Sequence, residues 1–61
     1  MRELYKYRVL VECRNICGTV IYRWILDAES PGEAEHRAVE MARRGYPEFE
    51  EFEPVRTEGM R

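Results

Sequence analysis

The sequence predicts an α+β fold: a three-stranded antiparallel sheet, built in the order ββαβ, with one helix packed on one face. Three observations carry that expectation. Apolar and mostly charged residues alternate from Tyr5 to Arg14. Arg14-Asn15-Ile16-Cys17-Gly18 breaks the pattern, and a second run rich in β-branched and aromatic residues follows. Ser30-Pro31-Gly32-Glu33 then has the form of a capped helix start, with alanines recurring behind it at helical spacing.

Each element follows from its residues. Tyr5, Tyr7, Val9, Val11 and Cys13 alternate with Lys6, Arg8, Leu10, Glu12 and Arg14, the period of a half-buried strand. Asn and Gly tolerate positive φ, so Arg14-Asn15-Ile16-Cys17-Gly18 reads as a hairpin turn. Residues 19–28 form the second strand. Its even positions (Val20, Tyr22, Trp24, Leu26, Ala28) face the core with the odd positions of strand one, which leaves Ile21 and Ile25 outside beside Leu10.

Ser30 is the expected N-cap, Pro31 sits where no amide donor is lost, and Glu33 returns a bond to the cap and suits the positive end of the helix dipole. The helix is expected over residues 31–44, with Ala34, Ala38, Met41 and Ala42 on its core stripe and Gly45 as a left-handed stop. Residues 48–57 read as a third strand. Pro54 cannot donate to a ladder, so this strand belongs at an edge. The cheapest placement sets it antiparallel beside strand one, in spatial order 3-1-2, with a frayed tail from about residue 58. One helix covers one face of such a sheet, and the other face stays open.

Composition bounds the function. The chain has 61 residues and a net charge of −2, with 44% hydrophobic and 36% charged residues, one small domain over residues 1–61. Such a chain buries only about 60% of its unfolded surface and has little room for an enclosed active-site cavity of roughly 300–1,000 Å³. No enzyme activity and no cofactor are expected. The basic excess of a nucleic-acid binder is missing. No run approaches the roughly 20 apolar residues of a membrane span. The start of the chain leads straight into an alternating strand, so a cytoplasmic location is expected.

Several groups invite a chemical reading. Cys13 and Cys17 flank the turn, and their spacing leaves a disulfide or two free thiols open, while a metal site lacks ligands. His36 lies between Glu35 and Arg37 on a solvated helix face. Glu48, Glu50, Glu51 and Glu53 read as edge-protecting charge or as an acidic contact surface. Arg8, Arg23, Arg37 and Arg44 are the candidates for a phosphate-binding face, although Glu33 and Glu40 stand four residues before Arg37 and Arg44. Ile21 and Ile25 are exposed aliphatic anchors of the kind that mark protein contact.

The run Leu26-Asp27-Ala28-Glu29-Ser30-Pro31-Gly32-Glu33-Ala34-Glu35, the Tyr46-Pro47 stop, and the later Phe52 and Val55-Arg56 resemble a known layout. It is that of small ββαβ proteins from phages and mobile elements, and within them it is similar to the host RNA polymerase inhibitor family of T7-like phages. The likeness spans roughly residues 19–57, and Cys13 and Cys17 have no counterpart in it. It implies a non-catalytic module that inhibits or adapts a host protein, a polymerase or a defence complex, through charged residues around the last strand. The matching positions are Arg56 and the Glu48, Glu50, Glu51 and Glu53 cluster. Two other functions fit the residues: nucleic-acid binding through the four arginines, or self-assembly, with a homodimer formed through strand two or the open face.

Overall fold

The computed structural model describes residues 3–60. The chain runs β1 (Tyr5–Asn15), β2 (Gly18–Ala28), α1 (Pro31–Gly45) and β3 (Glu51–Met60). The sheet order is β2-β1-β3, with both neighbours antiparallel to β1. This is the α+β arrangement the alternation predicts, with the cleanest strand in the centre. Eleven residues at about 3.4 Å each make a strand of about 37 Å, which accounts for the long axis of 43 Å against 17 and 14 Å across.

The hairpin closes at Asn15 and Gly18 around Ile16 and Cys17. Asn15 acts differently from the expectation. Its backbone keeps negative φ, and only Gly18 is left-handed, at φ +148°. The Asn15 side chain instead accepts from the Cys17 and Gly18 amides at 2.8 and 3.1 Å, two local bonds that steady the turn.

Ser30 caps α1 as expected, its hydroxyl accepting from the Glu33 amide at 3.2 Å. The Glu33 carboxylate reaches one residue further back and accepts from the Glu29 amide at 3.2 Å. At the other end the structure corrects the sequence. Gly45 stays in the helix without positive φ, and Tyr46 is the C-cap, its amide donating to the Ala42 carbonyl at 2.9 Å. Tyr46 is held there by a stack on Tyr22, with ring centroids 4.1 Å apart and planes 9° apart.

The core is one layer between helix and sheet. Val9, Val11, Cys13, Ala28, Ala34, Ala38 and Ala42 are fully buried. Alanine at three successive turns lets the helix lie close on β1. Met41 is not part of that stripe: it is exposed on the outer side of α1, and Val39 packs on the core instead. Tyr22, Trp24, Tyr46 and Phe49 form an aromatic cluster along the β2 side. Tyr5 and Val20, at the two ends of the apolar face, extend past the helix and are exposed.

The third strand is shifted from residues 48–57 to Glu51–Met60. Residues 58–60 pair with β1 rather than fray, and Arg61 lies outside the described residues. The imperfect alternation has a cause. Val11 faces Pro54 and Leu10 faces Arg56, so Val55 is an extra residue, a β-bulge. The bulge moves the inward set from Phe52 and Pro54 to Thr57 and Gly59. Thr57 then donates its hydroxyl to Glu35 of α1 at 2.7 Å. As an edge strand, β3 accommodates Pro54 without losing an interior ladder bond.

Candidate functional site

The helix covers one side of the sheet, and the opposite side is open. Register fixes what that side presents. Reading from β3 across β1 to β2, its rows are Glu51–Arg14–Thr19, Glu53–Glu12–Ile21, Arg56–Leu10–Arg23, Glu58–Arg8–Ile25 and Met60–Lys6–Asp27. Neighbouring strands lie roughly 4.8 Å apart, so the β3 and β2 columns are separated by roughly 10 Å.

Acids and bases balance on this face: Lys6, Arg8, Arg14, Arg23 and Arg56 stand against Glu12, Asp27, Glu51, Glu53 and Glu58. Most pair with one another. Arg14 is a hub, with nitrogens 3.3 Å from Glu12, 3.3 Å from Glu51 and 3.4 Å from Glu53. Glu58 sits 3.0 Å from Arg8 and 3.2 Å from Arg56, and Lys6 lies 3.8 Å from Asp27. Each exposed pair contributes little stability, about 0–1 kcal/mol. They set opposite charges beside one another across the strands. Arg23 makes no ion pair within 4.0 Å among the described residues.

Leu10, Ile21 and Ile25 interrupt the charge. Ile21 and Ile25 are 55% and 50% exposed, on the edge strand, and Leu10 is their diagonal neighbour on β1. The face therefore offers a small aliphatic group around Arg23, beside rows of paired charges. At the hairpin end, Arg14, Asn15, Ile16, Thr19, Glu50 and Glu51 line an open groove of about 460 Å³. Ile16 protrudes from the turn, 91% exposed.

The structure brings some of the predicted contact residues together and separates others. Glu51, Glu53, Arg56, Ile21 and Ile25 share the open face, with β1 between the acidic column and the isoleucines. Glu50 joins them at the groove. Its amide donates to the Arg14 carbonyl at 2.8 Å. Glu48 stands apart: its carbonyl accepts from the Asn15 side chain at 3.2 Å, and its charge is felt by Tyr22 and Cys13 on the helix side. Of the four arginines, Arg8 and Arg23 lie on the open face while Arg37 and Arg44 belong to the helix on the other side. Arg37 and Arg44 are 3.4 and 3.8 Å from Glu33 and Glu40.

Cys13 and Cys17 are free thiols. Val20, not Cys17, is opposite Cys13, because Cys17 lies in the turn itself. Burial pushes the Cys13 thiol upward, with a smaller push from Glu48. Burial also raises the Tyr22 hydroxyl, helped by Tyr46, Glu48 and Cys13. His36 is exposed, 3.7 Å from Glu40. Sequence reasoning missed the role of Arg14 in tying Glu12, Glu51 and Glu53 together, since that contact depends on the β1–β3 register. Among the described residues, no helix is long and apolar enough to cross a membrane. No family model, curated protein or solved structure matches this chain.

Proposed function

We propose that this chain is a non-catalytic protein-binding module whose contact surface is the open sheet face. The observation that supports the reading is the combination on that face: exposed aliphatic side chains set among charges of both signs that face one another across the strands. A charge-balanced, patterned surface selects a partner by complementary arrangement rather than by net charge.

In this reading Ile21, Ile25 and Leu10 are the apolar anchors, and Glu50, Glu51, Glu53 and Arg56 set register and orientation. The module would act in the cytoplasm, by covering a surface of a host protein. The sequence resemblance to phage and mobile-element inhibitors would make bacterial RNA polymerase the first candidate, and a defence complex the second.

The test is capture of the tagged chain's partner from nuclease-treated bacterial lysate, followed by binding assays with the purified partner and with purified RNA polymerase. Ile21→Asp, and Glu50→Lys combined with Glu51→Lys, should each abolish binding while far-UV circular dichroism stays unchanged. Full affinity in both variants would refute the assignment of this face.

A further inference from the structure

The two edges of the sheet are built differently. The β3 edge carries Pro54, the Val55 bulge, and Glu51, Glu53 and Glu58. These are the devices that stop an edge strand from pairing with another chain. The β2 edge has none of the backbone devices. It pairs with β1 through eleven residues without a register shift, contains no proline, and has two charged residues, Arg23 and Asp27.

Its free hydrogen-bonding groups can be placed. Asn15 and Gly18 close a two-residue turn, so the even positions of β2 bond to β1 and the odd positions point off the sheet. Two contacts agree. The Arg14 carbonyl, opposite Thr19, is turned toward the β3 side, where it accepts from Glu50. The Asp27 carbonyl accepts from the Arg37 guanidinium at 3.0 Å instead of from a β1 amide. Thr19, Ile21, Arg23 and Ile25 thus present amides and carbonyls along a straight open edge.

We propose that the chain forms a homodimer through this edge, β2 pairing antiparallel with β2 of a second copy about a two-fold axis at Ile25. The charge pattern selects the register. Centred on Ile25, Arg23 faces Asp27 of the second copy, twice, and Ile25 faces itself. On the helix side, Trp24 faces Leu26 of the second copy, twice, so both partly buried side chains gain apolar cover. A register centred on Arg23 would instead set two guanidiniums against each other. The chosen register uses outward-pointing odd residues at every bonded pair. Arg37 releases the Asp27 carbonyl, which takes the Arg23 amide of the second copy. The result is a six-stranded sheet with both helices on one side.

Sedimentation from micromolar to millimolar concentration tests this. The expected species is a monomer–dimer equilibrium. Ile25→Pro removes one outward amide that β1 does not use, and should leave a folded monomer. Arg23→Asp should weaken the dimer by about tenfold, and Arg23→Asp with Asp27→Arg should restore it. If the proline variant does not fold, the charge pair alone decides. A monomer at every concentration, a larger assembly, a dimer indifferent to Ile25→Pro in a folded variant, or a charge swap without rescue would each overturn the proposal.

Discussion

Val11→Ala is the sharpest test of which face is the core. Val11 is fully buried on the central strand, between Tyr22 on β2 and Pro54 on β3, under the helix. Truncation removes two carbons. Their transfer alone is worth about 1.6 kcal/mol, and the central position, closed on both sides by neighbours, prevents collapse of the space, so about 2–3 kcal/mol is expected. A domain of this length has about 3–9 kcal/mol in total. At about 4–8 °C per kcal/mol, the midpoint should fall by at least about 8 °C. Thermal and urea unfolding, followed by circular dichroism at low concentration, measure it. The companion variant is Leu10→Ala, one residue earlier on the open face, where less than about 1 kcal/mol is expected. Equal losses, or a larger loss for Leu10→Ala, would refute the placement of the core between β1 and α1.

Three further outcomes are expected. Ser30→Ala removes the hydroxyl that accepts from Glu33 and should cost about 1 kcal/mol in urea unfolding. Deleting Val55 removes the extra residue and leaves every inward side chain of β3 inward, so stability should change by less than about 1 kcal/mol, whereas deleting Thr57 turns Arg56 or Glu58 toward the core and should cost more than about 2 kcal/mol. Cys13 and Tyr22 both hold their protons more tightly when folded, so their contribution is fully present below the ordinary values of 9.0 and 10.0 and is lost as pH rises through the higher folded values. Stability should be level through neutral pH and fall on the alkaline side, and Cys13→Val should remove the part of that fall that begins first.

Much of the architecture was legible because it depends on periodicity. Strand β1 alternates cleanly, and an alternating strand flanked by two others must be central. The cap at Ser30 needs only residues three apart. What escaped prediction depends on contacts between distant segments. Gly45 looked like the stop because glycine most easily takes the left-handed conformation. The helix ends at Tyr46, which precedes Pro47 and whose ring stacks on Tyr22, twenty-four residues earlier in the chain. Met41 fits the helical stripe, yet the buried positions are only Ala34, Ala38 and Ala42, a strip too narrow to include it.

The open face shows the same division. Ile21 and Ile25 followed from alternation in β2, and their exposure needed no tertiary information. The acidic column was visible as a run of glutamates, but its state was not. Arg14 reaches Glu51 and Glu53, besides Glu12 on its own strand, only because β3 pairs with β1 in one register, and that register depends on a bulge at Val55 which the sequence announces merely as a fault in the pattern. One guanidinium offsets one of those three carboxylates, so the hairpin end keeps an acidic excess while Arg8, Arg23 and Arg56 lie farther along the face.

Strand β2 links the two proposals, because Ile25 belongs both to the open face and to the free edge. Pairing at β2 would double the face, bring two Ile25 side chains together at its centre, and leave Ile21 of each copy farther out. A partner that binds across the centre would then favour the dimer, and by linkage the dimer would bind it more tightly. A partner that needs the edge itself would dissociate the dimer and be weakened by it to the same degree. Concentration separates these cases. Ile21 lies away from the axis, so its loss weakens partner binding and spares dimerisation. Ile25→Pro removes an anchor as well as the edge amide, so the change in partner affinity of the unaltered chain across its monomer–dimer concentration range tells whether the pair or the single copy is the binding form.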